Sequence, residues 1–147
     1  MIVLDTTVLV YAVGGDHGLR DSCQELVRAV ANGAIVATTT VEVIQEFAHV
    51  RARRRDRADA ALHAADFADL LAPLIEVRES TLRAGLRVFA DARQIGAFDA
   101  VLAAAAAETA HGKSATVVSA DRAFGELPHI HHVFPDAAGV GDLLRPS

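Results

Sequence analysis

Four acidic residues stand where a lone carboxylate needs a reason: Asp5, Glu46, Asp99 and Asp121. Asp5 closes the apolar strand Ile2-Val3-Leu4, and Asp121 follows a second such run, Ala115-Thr116-Val117-Val118. Asp99 opens the helical phrase Phe98-Asp99-Ala100-Val101-Leu102, and Glu46 lies in the helix after Ile35-Val36-Ala37. Two carboxylates about 4 Å apart repel by roughly 4 kcal/mol at an effective dielectric near 20. Three or four together raise one another's pKa values and resist ionising unless a cation joins them. Ligation by oxygen alone, with no Cys or His in the set, favours magnesium or manganese over zinc. Such an ion polarises a phosphoryl oxygen and lowers the pKa of a bound water, which a neighbouring carboxylate can orient or deprotonate. The chemistry indicated is phosphate chemistry.

Each acid also has a plainer reading. Asp5 or Asp99 would serve merely as a helix cap, satisfying free amides at a helix start. Glu46 has a rival in Glu42, one turn earlier on the same helix face. Only the spatial convergence of the four separates these readings, so the elements that carry them matter.

Strand and helix patterns alternate along the whole chain. Strands are expected at Ile2–Leu4, Ile35–Thr38, Leu74–Val77, Thr116–Val118 and near His132–Phe134. Thr6 or Thr7 is positioned to cap a short helix through Val13, and Thr39 or Thr40 the next long one. Leu19, Cys23, Leu26, Val27 and Val30 recur at helical spacing until Asn32-Gly33. A further helix spans roughly Ala58–Ala72, and another turns Leu82, Leu86, Phe89 and Ala92 inward. The helix from Phe98 to Ala110 carries the run Ala103–Ala107, which permits close packing on a sheet. This alternation predicts one α/β domain over residues 1–147, a parallel sheet of about five strands flanked by helices. In open sheets of this kind ligands bind beyond the carboxyl ends of the strands, where Asp5 and Asp121 stand.

Composition fits that fold. The 147 residues suffice for one core, and 52% hydrophobic with 22% charged residues is ordinary globular usage. No apolar run reaches membrane-spanning length. Met1-Ile2-Val3-Leu4-Asp5 has no basic leader and already reads as strand, so no signal peptide and a cytoplasmic location are expected. The single cysteine, Cys23, excludes an internal disulfide and a thiolate zinc site. The net charge of −5 argues mildly against nonspecific nucleic-acid binding. The run Arg51-Ala52-Arg53-Arg54-Arg55 is either a track for RNA or a partner, or a solvated helix end favoured by the helix dipole. His129, His131 and His132 lack the spacing of a metal site and read as a His-rich loop.

Four phrases then occur in a telling order: Ile2-Val3-Leu4-Asp5-Thr6-Thr7-Val8-Leu9-Val10-Tyr11-Ala12, Ile44-Gln45-Glu46-Phe47, Phe98-Asp99-Ala100-Val101-Leu102-Ala103-Ala104 and Val117-Val118-Ser119-Ala120-Asp121-Arg122-Ala123-Phe124. Their order and spacing resemble PIN-domain proteins, in particular the small bacterial ribonucleases of the VapC toxin type, over nearly the whole chain. The resemblance implies a Rossmann-like sheet in order 3-2-1-4-5. It implies magnesium-dependent RNA cleavage, with manganese able to substitute, a homodimer, and inhibition by a cognate antitoxin whose tail blocks the acidic pocket. Asp5, Glu46, Asp99 and Asp121 would form the catalytic quartet, with Asp5, Asp99 and Asp121 holding the metal. Thr7 and Ser119 match positions of hydroxyl residues that orient the carboxylates. Glu42 is left to solvent or to hydrogen bonding behind the ligands. The loop Ser119-Ala120-Asp121 departs from the family, which often has Thr and a polar residue before that acid.

Three rivals remain. A haloacid-dehalogenase-type phosphatase also opens with a strand ending in Asp, but wants a second acid where this chain has Thr7. A phosphorylation-receiver domain needs a strand-end lysine, and the only lysine, Lys113, precedes its strand. A PIN-like module that binds nucleic acid or a partner without turnover keeps the fold and loses the chemistry.

Overall fold

The computed structural model describes residues 1–145; residues 146 and 147 of the expected single domain lie outside the described residues. At its centre β1 (Ile2–Leu4) is buried at every position, as an apolar run without alternation should be inside a parallel sheet. β2 (Ala37–Thr38) flanks it on one side and β3 (Ala115–Val118) on the other, and β4 (Ile130–Val133) pairs beyond β3. All pairs are parallel, in the order β2-β1-β3-β4. Leu4 stands opposite Val118, and the Asp5 amide donates to the Val118 carbonyl at 3.0 Å. The strands preceding Asp5 and Asp121 are therefore neighbours that end together.

The expected strand at Leu74–Val77 is reduced to one parallel bridge between Thr40 and Ile75. It sits beside β2, where the third strand of the order 3-2-1-4-5 belongs. β2 itself pairs over only two residues, so a further strand has almost no edge to follow. The sheet accordingly has four strands.

Among the described residues seven α-helices surround it: α1 (Thr6–Val13), α2 (Arg20–Ala31), α3 (Val41–Arg54), α4 (Arg57–Leu70), α5 (Glu79–Asp91), α6 (Ala97–Thr109) and α7 (Ala137–Leu144). A 3-10 turn spans Arg122–Glu126. α2 stops at Asn32 followed by Gly33 at φ +73, a left-handed conformation that glycine adopts without a side-chain clash. Thr40 caps α3 by accepting from the Val43 amide. Cys23 is buried in the apolar stripe of α2. α3 and α4 pack through Phe47 against Phe67, ring edge to ring face at 5.1 Å. Among the described residues no helix is long and apolar enough to cross a membrane.

One face expected to point inward points outward. Leu82, Leu86 and Phe89 are 43%, 46% and 45% exposed, whereas Thr81 and Gly85 of the same helix are buried. The reason lies in the contact between α5 and α6. A Cβ on Gly85 would stand 2.7 Å from the Val101 Cα, so the helices approach at a point only glycine permits. The small side of α5 faces α6, and the large apolar stripe turns to the surface.

Candidate metal centre

Asp5 leaves the sheet at the end of β1 and is 3% exposed. It is the N-cap of α1, correcting the expectation that Thr6 or Thr7 fills that place: its Oδ2 accepts from the Thr7 amide at 3.4 Å. The same oxygen accepts from Thr7 Oγ1 at 2.8 Å and from Ser119 Oγ at 2.7 Å. Capping and site-building are thus one arrangement. With three donors on Oδ2, the carboxylate is fixed in direction and Oδ1 remains for another ligand. Thr7 occupies the position where a dehalogenase-type phosphatase would have its second acid, and here its hydroxyl serves Asp5.

The two hydroxyls also hold the opposite loop. Thr7 Oγ1 accepts from the Ala120 amide at 3.0 Å, and Ser119 Oγ from the Asp121 amide at 2.9 Å. A hydroxyl has one proton and two lone pairs, so each donates to Asp5 and accepts from the loop carrying Asp121. Asp121 in turn caps the 3-10 turn through Oδ1, which accepts from the Ala123 amide at 2.9 Å.

Glu46 enters from α3, and its Oε2 accepts from Thr6 Oγ1 at 2.6 Å. Successive threonines after Asp5 therefore serve two acids: Thr7 binds Asp5, and Thr6 binds Glu46. Sequence reasoning missed the role of Thr6, whose partner is forty residues away. Asp99 lies in the first turn of α6. Burial, then the charges of Asp5, Asp121 and Glu46, then a hydrogen bond with Asp121, push its carboxyl from the ordinary 3.8 up to about 7. Burial contributes most to that shift, and the other three acids add to it.

The donor chemistry fits a hard divalent cation: oxygen only, with a carboxyl driven toward its neutral form by burial and by uncompensated negative neighbours. The acids are gathered but not closed, because no three His, Cys, Asp or Glu side chains among the described residues enclose one ion position. The centre opens into a groove of about 430 Å³ lined by the acids Asp5, Glu42, Glu46 and Asp99 together with the apolar Val43, Leu82, Leu86, Phe98 and Val101. Glu42 Oε2 is shielded from solvent without a hydrogen-bond partner. Glu42 therefore belongs to the groove wall rather than to open solvent.

The arginine run divides. Arg51 is bound to Asp59 on α4 at 2.6 Å and to the Val13 carbonyl at 2.8 Å, so it joins α1, α3 and α4. Arg53, Arg54 and Arg55 are exposed, and none forms an ion pair among the described residues. Of the three histidines only His129 lies in a turn. His131 and His132 lie on β4, and His132 Nε2 stands 2.8 Å from the Ser119 carbonyl.

Comparison with known proteins identifies the family. The family model described as PIN domain matches residues 2–130. The chain is 52% identical to ribonuclease VapC7 of Mycobacterium tuberculosis over 148 aligned residues, covering 98% of each chain. Among solved structures it resembles a chain of VapBC2 from Rickettsia felis, captured bound to a DNA fragment from their promoter. That match has a TM-score of 0.66 at 18% identity and covers 90% of this chain and 98% of the other, a likeness of fold.

Proposed function

The chain belongs to the PIN-domain family, in its VapC toxin branch, and from that premise we propose that it is a magnesium-dependent endoribonuclease, the toxin of a type II toxin–antitoxin pair. The observation that carries this reading is the convergence of Asp5, Glu46 and Asp121 on Asp99, with Asp5, Glu46 and Asp99 lining one groove. Asp5, Asp99 and Asp121 would hold the ion, and Glu46 would complete the site or orient the attacking water. A bound magnesium would offset the clustered charge, polarise a phosphoryl oxygen and acidify a water. The protein's own part is orientation. Thr7 and Ser119 fix one oxygen of Asp5, Thr6 fixes one oxygen of Glu46, and the Ala123 amide fixes one oxygen of Asp121. Asp5 and Glu46 each keep their other oxygen for ion, water or substrate. Hydrolysis of a phosphodiester in tRNA or rRNA would leave 5′-phosphate and 3′-hydroxyl ends and restrain translation.

The groove supports a second part of the proposal. Its acidic mouth and apolar wall suit a segment offering a basic side chain beside apolar ones, which is the chemistry expected of the tail of a cognate antitoxin. A homodimer is also proposed, with sedimentation of the antitoxin-free protein as its check.

The deciding experiment is cleavage of total RNA by the purified protein with magnesium or manganese, beside EDTA and Asp5→Ala controls. Discrete fragments with 5′-phosphate ends, absent from both controls, are expected. Metal binding without cleavage of any RNA would favour the non-cleaving binding module.

A further inference from the structure

We propose that His132 is a positioning residue for the acidic centre, holding the Ser119–Ala120 peptide so that Thr7 and Ser119 both aim at Asp5 Oδ2. The inference rests on the reading of that centre as a metal site. It begins with a contact that the quartet does not use: His132 Nε2 is 2.8 Å from the Ser119 carbonyl. A carbonyl only accepts, so Nε2 carries the proton and donates, whether the ring is neutral or charged.

The peptide plane between Ser119 and Ala120 is held on both sides. Its carbonyl takes the His132 proton, and its N–H donates to Thr7 Oγ1 at 3.0 Å. The Ser119 amide is tied separately to the Val133 carbonyl at 3.1 Å. If this plane turns, Thr7 loses its donor and Ser119 Oγ moves relative to both Asp5 and the Asp121 amide. One ring on the edge strand thus sets the orientation of two hydroxyls and two carboxylates.

The ring is itself fixed. It packs alongside Phe124, with centroids 6.2 Å apart and planes 25° from parallel. Phe124 is fully buried. A Cβ on Gly125 would stand 3.5 Å from His132 Nδ1, so the turn after Asp121 lies against the other ring nitrogen. The 3-10 turn capped by Asp121 and the strand bearing His132 therefore brace each other.

The test compares His132→Leu, which removes the donor, with His132→Gln, whose amide nitrogen reaches about as far as Nε2. Manganese binding to the RNA-free proteins is measured by calorimetry, and amide exchange at Ala120 is measured without metal. His132→Leu should bind manganese about tenfold more weakly, the scale seen when groups behind metal ligands are removed. Its Ala120 amide should exchange faster, and His132→Gln should recover most of both losses. Cleavage by His132→Leu should show a lowered kcat at limiting manganese, restored at saturation, with KM for RNA unchanged. Wild-type affinity in a folded His132→Leu overturns the role, as does an equal loss in His132→Gln. If the Leu variant does not fold, His132→Asn, too short to reach the carbonyl, takes its place against His132→Gln. Wild-type protein that binds no manganese overturns the metal centre itself and this inference with it.

Discussion

Asp99 is held between two demands. Its carboxyl is raised to about 7 by burial and by the charges of Asp5, Asp121 and Glu46, so the folded metal-free protein binds that proton more tightly than the unfolded chain does. The stabilisation is complete below the ordinary carboxylate range near 3.8 and is lost as pH rises toward about 7. Metal-free protein should therefore melt lower at pH 8 than at pH 5. Asp99→Asn removes the ionisation and should narrow that gap, at about 3 °C for each kcal/mol recovered, while abolishing RNA cleavage. Melting curves in EDTA at the two pH values check the first part, and a variant gap equal to that of wild type would contradict it. Asp5, Asp99 and Asp121 were legible in sequence because each stands at the end of an element, whereas Glu46, inside α3, was legible only through the resemblance of its phrase. Their orienting partners were legible only where a hydroxyl stands two residues from an acid, as Thr7 does from Asp5 and Ser119 from Asp121. Thr7 stands two residues from Asp5, whereas Thr6 reaches Glu46 forty residues on, and His132 reaches the Ser119 carbonyl through the pairing of β3 with β4.

Between elements, close packing decides what periodicity alone cannot. An alanine at position 85 would favour the helix by about 1 kcal/mol on propensity. Its Cβ would meet the Val101 backbone at 2.7 Å, and backbone cannot swing aside as a side-chain tip can. Overpacking costs about 1–3 kcal/mol, so Gly85→Ala should lower stability in urea melts and loosen α5 from α6. The same contact explains why the apolar stripe of α5 reads as inward in sequence and stands outward in the fold: the pattern identifies a helix but not which of two faces is buried. The α3–α4 pair makes a second case. A hydrogen bond from the Arg51 guanidinium, aided by its charge, holds the Asp59 carboxyl below its ordinary value. A depressed carboxylate contributes stability above the ordinary range and loses it as pH falls through the lowered value. Arg51→Met should thus melt below wild type at pH 6, and the difference should close toward pH 3. A difference that stays constant over that range would mean that Arg51 acts by packing alone.

Across the whole molecule the charge of −5 opposes a polyanionic substrate, so the RNA affinity proposed for it would have to be local. The acidic groove repels phosphates until a cation is present. The exposed positive charge nearest to it along α3 begins at Arg53, seven residues beyond Glu46 and about 10 Å away at helical rise. An RNA strand lying along α3 would run from the acids to Arg53, Arg54 and Arg55, whose guanidinium groups form no ion pair among the described residues. Arg51, equally basic in sequence, is withdrawn from that track by Asp59, a distinction that composition cannot make. Each phosphate neutralised on a single strand adds about 0.7 to the slope of log affinity against log salt. Replacing Arg53, Arg54 and Arg55 with Gln should therefore reduce that slope by about 2 if all three make contact. KM for RNA should rise while manganese affinity and kcat remain unchanged, since none of the three orients a carboxylate. Filter binding across a salt series reads the slope directly. An unchanged slope would return the arginines to the role of solvated charges at a helix end, and would leave RNA recognition to the groove and the loops around it.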